Sequence, residues 1–387
     1  MQEPLEWPIA GSRSVIPLIG RGSAARRRPR QGPSRSPSGP GRAAALVVAF
    51  ALVVCAALGC GTALPPHPVV DDLDEGFSSE LLEAQKSTLD GLFPRLPGSP
   101  LDSIARGYLK REFELSGADV RVLEDAGRRH LLAEIEGRSR DVILLVAAYP
   151  GLESAEWIDD SGAAVLLELA RVFGERELAY TLEFALAEVS PQRGDLAVDH
   201  ARDAAVEDAD LGAELGHGMR DGIEARVGEP TWTRIPSRAD ARTSLAEAGE
   251  SLARAIEGEG RSARIRAVVV IDVSRSDGFR IARDLRSHPG FRAVFWESAA
   301  DLGFSSTFPE GAAWDSPESL HLGFRDRGMD RVLALVEAEA DFDRGDVGDL
   351  GAAVSEESGS LDAVGLVSLE ALGRLMRRFE KVDAFAR

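Results

Sequence analysis

The chain has 387 residues, 44% of them hydrophobic, and a formal charge of −19 at pH 7. Eight Arg and two acids give residues 1–59 a charge of +6, which leaves −25 on residues 60–387; so acidic a body repels a phosphate backbone and excludes nucleic acid as a partner. Both cysteines, Cys55 and Cys60, stand in or beside one apolar run, so the body has no internal disulfide, no cysteine nucleophile and no thiolate set for a metal.

Residues 1–42 are rich in Arg, Pro, Ser and Gly and read as a disordered basic leader. Residues 43–59 (AAALVVAFALVVCAALG) are uncharged and follow Arg26, Arg27, Arg28, Arg30, Arg35 and Arg42, the charge order of a secretion signal. The run ends in Ala57-Leu58-Gly59-Cys60, which resembles a lipoprotein signal-peptidase box with Cys60 as the lipidation site, although Ala57 replaces the usual Leu. The expectation is a periplasm-facing envelope lipoprotein held at the membrane through Cys60; an uncleaved single span is the alternative. Residues 61–77, with Pro65, Pro66 and Pro68, form a tether, and residues 78–387 form the folded domain.

In that domain the spacing predicts helices over 78–92 and 101–117, joined by the turn formers Phe93 to Pro100. Strand-like segments follow at Val120 to Leu123 and His130 to Ile135. The unbroken apolar stretch of Asp141 to Ala148 suits a central strand buried on both faces. A helix over Ser161 to Phe173, a strand over Tyr180 to Ala187 and a strand over Ile265 to Val273 continue the alternation. Residues 195–262 read as an acidic insertion with an amphipathic helix at Ser244 to Ile256. A helix near Phe291 to Leu302, a strand near Val332 to Val336, an acidic loop over 337–351 and a terminal helix over Leu366 to Phe379 close the chain. The order predicts one α/β domain, a three-layer α/β/α sandwich around a mostly parallel sheet.

Several segments together resemble the zinc aminopeptidase and glutaminyl cyclase family, from about Leu89 to Glu380. They are the Arg95-Leu96-Pro97-Gly98-Ser99-Pro100 loop with Ala105-Arg106-Gly107-Tyr108-Leu109, the Ser161–Arg171 helix, Trp296–Gly303, the His321-Leu322-Gly323-Phe324 segment, and Ser360-Leu361-Asp362 with Ser368–Gly373. The resemblance implies the co-catalytic zinc exopeptidase fold. It also implies a metal site that this sequence has largely lost.

Zinc in that family is held by imidazole and carboxylate, with a carboxylate base for its water. Ala148 stands where the first His is expected, and Ile158 falls on the bridging aspartate unless a small shift brings in Asp159 or Asp160. Val189, Ser190 and Pro191 replace the paired glutamates, with Glu188 slightly early as a weak candidate base. Asp272 matches a family aspartate. His321 is retained in its loop behind Ser319 and Leu320, and the last His is missing near Ser355. The bland reading makes Asp159, Asp160 and Ser161 a helix cap and first turn, and places His130, His200, His217 and His288 in solvent.

The expectation is a pseudoenzyme that needs no cofactor and binds a peptide or protein in the former cleft. The alternative is an active aminopeptidase or cyclase holding zinc with Asp160, Asp272 and His321. No Gly-x-Ser-x-Gly elbow, phosphate loop, dinucleotide fingerprint or His-Glu-x-x-His sequence supports another chemistry.

Overall fold

The computed structural model describes residues 76–93, 95, 97–150, 159–189, 238–273, 277–311, 313–314, 319–338 and 359–386. These all fall in one compact unit, Pro68–Arg387. The expected leader, the lipidation site Cys60, the first part of the acidic insertion, and Ile158, Ser355, His200 and His217 lie outside the described residues.

Helices α1 (Ser79–Asp90) and α2 (Pro100–Leu115) begin at serine caps. Ser78 Oγ accepts from Leu81 N and Ser99 Oγ from Asp102 N, each satisfying an otherwise orphaned first-turn amide. Strands β1 (Asp119–Asp125) and β2 (Arg128–Ile135) form a hairpin whose turn residues, Ala126 and Gly127, both have positive φ (50° and 79°). Such a turn matches the right-handed twist of the strands, with Gly127 suited to it and Ala126 strained. β3 (Ser139–Pro150), α3 (Ser161–Gly174), β4 (Tyr180–Val189), α4 (Arg238–Gly258) and β5 (Ile265–Asp272) follow. The remaining elements are β6 (Asp277–Phe279), β7 (Ile281–Asp284), α5 (Pro289–Asp301), β8 (Ala313–Trp314), α6 (Leu320–Asp326), β9 (Val332–Glu337), β10 (Gly359–Ser360) and α7 (Leu361–Ala386).

The main sheet has the order β1-β2-β4-β3-β5-β9-β7-β8. Its centre, β4-β3-β5-β9, is parallel throughout. β2 and β7 run antiparallel on either side of it, so the sheet is mixed, with the expected parallel arrangement confined largely to its middle. The antiparallel flanks come from the β1–β2 hairpin and from β7, a four-residue strand too short to announce itself by periodicity.

β3 shows why there are three layers. Ile143, Leu145, Ala147 and Tyr149 point into one core with α1, α2, α3, α5 and α7, while Val142, Leu144, Val146 and Ala148 point into a second core with α4 and α6. Alternation of side chains along a strand makes a fully apolar strand bury both faces. Two close approaches fix the layers. A Cβ on Gly162 would lie 2.6 Å from Ile271 O, so the absence of a side chain lets α3 start hard against β5. A Cβ on Gly249 would overlap the carbonyl oxygen of Leu320, and one on Gly323 would overlap the backbone of Glu250, so α4 and α6 cross with their backbones in contact. The end of the acidic insertion is therefore a wall of the second core, formed by Leu245, Ala248, Leu252, Ala253 and Ile256.

Candidate functional site

The parallel strands β3, β4 and β5 end on one edge of the sheet, where α/β folds place ligands. Tyr149 on β3 stands opposite Glu188 on β4 in register, and both are buried. Above them lie the loop carrying Arg95, the start of α2 with Asp102 and Arg106, and the hairpin residue Arg129.

Asp102 is the hub. Its carboxylate accepts from Gly98 N (2.9 Å), Arg106 Nε (2.8 Å), Arg129 Nη2 (2.7 Å) and the Tyr149 hydroxyl (2.8 Å). Arg106 in turn donates through Nη2 to Glu188 Oε2 (2.8 Å) and through Nη1 to Arg129 O (2.6 Å). Glu188 Oε2 also accepts from Arg129 N at 2.6 Å. The guanidinium of Arg106 lies 4.7 Å from the Tyr149 ring centroid, a cation held against a π face as well as between two acids. Burial raises the Tyr149 phenol well above its ordinary range, so it acts only as a neutral donor to Asp102.

Arg95 and Asp160 form a second pair, both fully buried, with Arg95 Nη2 donating to Asp160 Oδ2. Arg95 also lies 4.1 Å from the Phe93 ring and 5.0 Å from that of Tyr149. Burial pushes the Asp160 carboxyl up to about 6 against the pull of Arg95, which leaves it charged at neutral pH. Asp160 is the N-cap residue of α3, as expected, but its side chain makes no cap bond; the side-chain contact to the first turn comes from Asp159. Asp159 accepts from Ser161 N (2.8 Å) and Ser161 Oγ (2.9 Å), with Lys86 Nζ 3.5 Å away.

The candidate ligands do not converge. Asp160 is turned toward Arg95, Glu188 is clamped by Arg106 and Arg129, and Asp272 ends β5 with the parity of Val268 and Val270, which face the second core. His321 is on a short helix rather than in a loop. It is fully buried in α6, with Nε2 3.4 Å from Asp284 Oδ2, and Asp284 accepts from Ser287 Oγ at 2.8 Å. Among the described residues no group of three or more His, Cys, Asp or Glu side chains is placed to hold a metal ion. Oδ1 of Asp160 has no hydrogen-bond partner among the described residues, but one carboxylate oxygen beside a guanidinium does not make a zinc site. Of the candidate acids, Asp160 and Glu188 are paired with arginine and Asp159 is bonded to Ser161 beside Lys86, so the described residues offer no ligand set that fits zinc.

His130 corrects the expectation of a solvated ring. It is fully buried between β2 and α4, its Nδ1 accepting from Glu188 N (3.1 Å) and its Nε2 lying 3.0 Å from Ser251 Oγ. Ser251 donates on to Asp125 Oδ2 at 2.8 Å. Burial, with Arg128 nearby, pushes the imidazole down to about 3, so it is neutral at physiological pH, with the proton on Nε2. His288 caps α5 and is partly buried. The sequence reading missed Asp102 and Arg129 entirely, and quoted Arg95 and Arg106 only as parts of longer segments. One signal was present, the Asp102–Arg106 spacing of four residues on a helix.

No protein-family model matches the chain, and no curated protein matches it in sequence. Solved structures do. Glutaminyl cyclase from Porphyromonas gingivalis superposes with a TM-score of 0.54 at 14% identity, covering 78% of this chain and 99% of that one. A leucine aminopeptidase precursor from Bacteroides thetaiotaomicron gives 0.51 at 15% identity, covering 76% and 96%. A Zn-dependent exopeptidase from Parabacteroides distasonis gives 0.50 at 14% identity, covering 78% and 98%. The chain therefore has the fold shared by these bacterial glutaminyl cyclases and zinc-dependent exopeptidases.

Proposed function

We propose that the protein is an envelope lipoprotein, anchored through Cys60, that keeps the exopeptidase scaffold without zinc chemistry and binds a peptide or protein at the strand-end cleft. The observation that carries this reading is Arg106, whose guanidinium lies between Asp102 and Glu188 in the position a cation would need to take between those acids. A divalent ion entering there would have to displace a guanidinium that two carboxylates, a backbone carbonyl and an aromatic face already hold. The scaffold supports a peptide ligand, since the neighbours named exopeptidase and aminopeptidase act on peptides. The apolar run and Cys60 support membrane anchoring. Among the described residues no helix is long and apolar enough to cross a membrane.

The test is metal content of the purified chain by mass spectrometry, with aminopeptidase and glutaminyl cyclisation assays on the same sample. The expected outcome is zinc well below one equivalent and no release or cyclisation, unchanged after incubation with zinc. Stoichiometric zinc accompanied by amino acids released from peptides would overturn the reading. Incorporation of labelled palmitate, abolished by Cys60→Ser, tests the anchor separately.

A further inference from the structure

The β1–β2 hairpin serves two neighbours at once. Side chains alternate along a strand, so Arg129 points to the strand-end cleft, where it donates to Asp102, while Arg128 and His130 on either side of it point to α4. Asp125, opposite Arg128 in the hairpin register, also faces α4. The helix meets them with one stripe of side chains at three- and four-residue spacing, Glu247, Ser251 and Arg254. Glu247 accepts from Arg128 (2.9 Å), Ser251 Oγ lies 3.0 Å from His130 Nε2 and donates to Asp125 (2.8 Å), and Arg254 donates twice to the same carboxylate (3.1 and 2.9 Å).

Through this hairpin α4 is tied to the cleft. His130 meets α4 with one ring nitrogen and accepts from the Glu188 amide with the other (3.1 Å), and the preceding residue, Arg129, donates its own amide to the Glu188 carboxylate (2.6 Å). Two backbone amides of the cleft therefore depend on side chains whose placement runs back to α4. The turn that brings them there is strained. Ala126 has a φ of 50°, and among the described residues it alone enters the left-handed region without being glycine. Such a residue stays there where its surroundings over-determine it, and the residues on either side of the turn, Asp125 and Arg128, are the ones that α4 binds. The apolar face that α4 lays on the sheet is Leu245, Ala248, Leu252, Ala253 and Ile256; with alanine at two of these places it buries little there, and the polar stripe shares in seating the helix.

We propose that α4 is a latch on the strand-end cleft: seated on the hairpin, it holds Arg129 and Glu188 in their clamped arrangement, and lifting it frees both amides and loosens Arg129 from Asp102 while the first core stays folded. His130 and Ser251 are the positioning residues of this link, and α4 is the handle by which the cleft is opened or stiffened. The significance of the latch rests on the reading above that the cleft is the binding site; the link itself is measured on the ligand-free chain.

The test is amide hydrogen exchange of the full chain, resolved at Arg129 and Glu188. Ser251→Ala should speed exchange at both amides by at least about tenfold, and Arg254→Gln, on the rim of the same contact, by at least about threefold. Leu375→Ala, which opens a cavity in the first core from α7, should change these two amides by less than about twofold, because they open locally before the fold does. Adding Ala126→Asn to Ser251→Ala should recover about half or more of the lost protection, since asparagine occupies the left-handed region without α4 to hold the turn. Equal acceleration by Ser251→Ala and Leu375→Ala overturns the latch, as the cleft then opens only with the whole fold. Acceleration confined to α4, or a double variant that recovers nothing, overturns it as well. If Ser251→Ala does not fold, Arg254→Gln is held to the same comparisons. With no ligand present, none of these results bears on what the cleft binds, so the latch and the ligand reading fail separately.

Discussion

Asp102, Arg106 and Glu188 show how a single side chain can hold a strand edge together. With acids at 1% and 2% side-chain exposure on either side, loss of the guanidinium leaves uncompensated buried charge, which costs far more than a surface ion pair. Arg106→Ala is expected to destabilise the fold by about 3–5 kcal/mol in urea denaturation, and Arg106→Lys by less, since an ammonium can reach one acid but cannot bridge both. His130 gives a pH signature. Its folded-state pKa is depressed to about 3 while the unfolded chain titrates near 6.5, so the neutral ring contributes stability above about 6.5 that is lost as pH falls toward 3. His130→Asn, which keeps an acceptor for the Glu188 amide, should lose about 2 kcal/mol less than the parent between pH 8 and pH 5. Little of this was legible in the sequence. Ala148 and Glu188 could be matched to strand ends, but which acid meets which arginine depends on Arg129 arriving through a hairpin turn and Arg106 through a helix, and nothing local records that meeting.

The elements themselves were much more legible, because buried strands and amphipathic helices declare their period. β3, β4, β5, β9 and α3 fall where apolar runs and helical spacing put them, within a few residues. The terminal helix is longer than its apolar core suggests, running to Ala386 because Tyr180 and Arg266 hold its polar end. The elements without a signal were the short ones, β7, β8 and α6, whose few residues carry too little pattern. The crossing of α4 and α6 was hidden for another reason: its signal is two glycines in separate helices, and a glycine inside a helix reads as a weakness until its neighbour is known. Gly249→Ala should therefore destabilise by more than about 3 kcal/mol, since the added methyl meets backbone rather than a side chain that can move. Gly107→Ala on α2, where nothing lies within 4 Å, should stabilise by about 0.5–1 kcal/mol. Comparing the two by thermal unfolding separates packing from helix propensity.

At the scale of the molecule, the excess of acids sets the response to salt. Like charges on a compact body repel one another, so stability in neutral buffer should rise by about 1 kcal/mol or more between 10 mM and 300 mM sodium chloride, as the screening length shortens; a flat or falling response would show that the local ion pairs outweigh the repulsion. The class of fold was readable at this scale and the mixed flanks were not, since strand direction follows from connections rather than from composition. The strand order has one more consequence. β3 is the spine of the sheet, yet β3 ends at Pro150 and the neighbour that covers its second edge, β5, begins only at Ile265. A chain emerging from its amino end would carry that bare, strongly apolar edge for a long stretch of synthesis, with the loop-closing cost still to be met. Such a polypeptide collapses late, which makes it dependent on holding factors until its second half arrives.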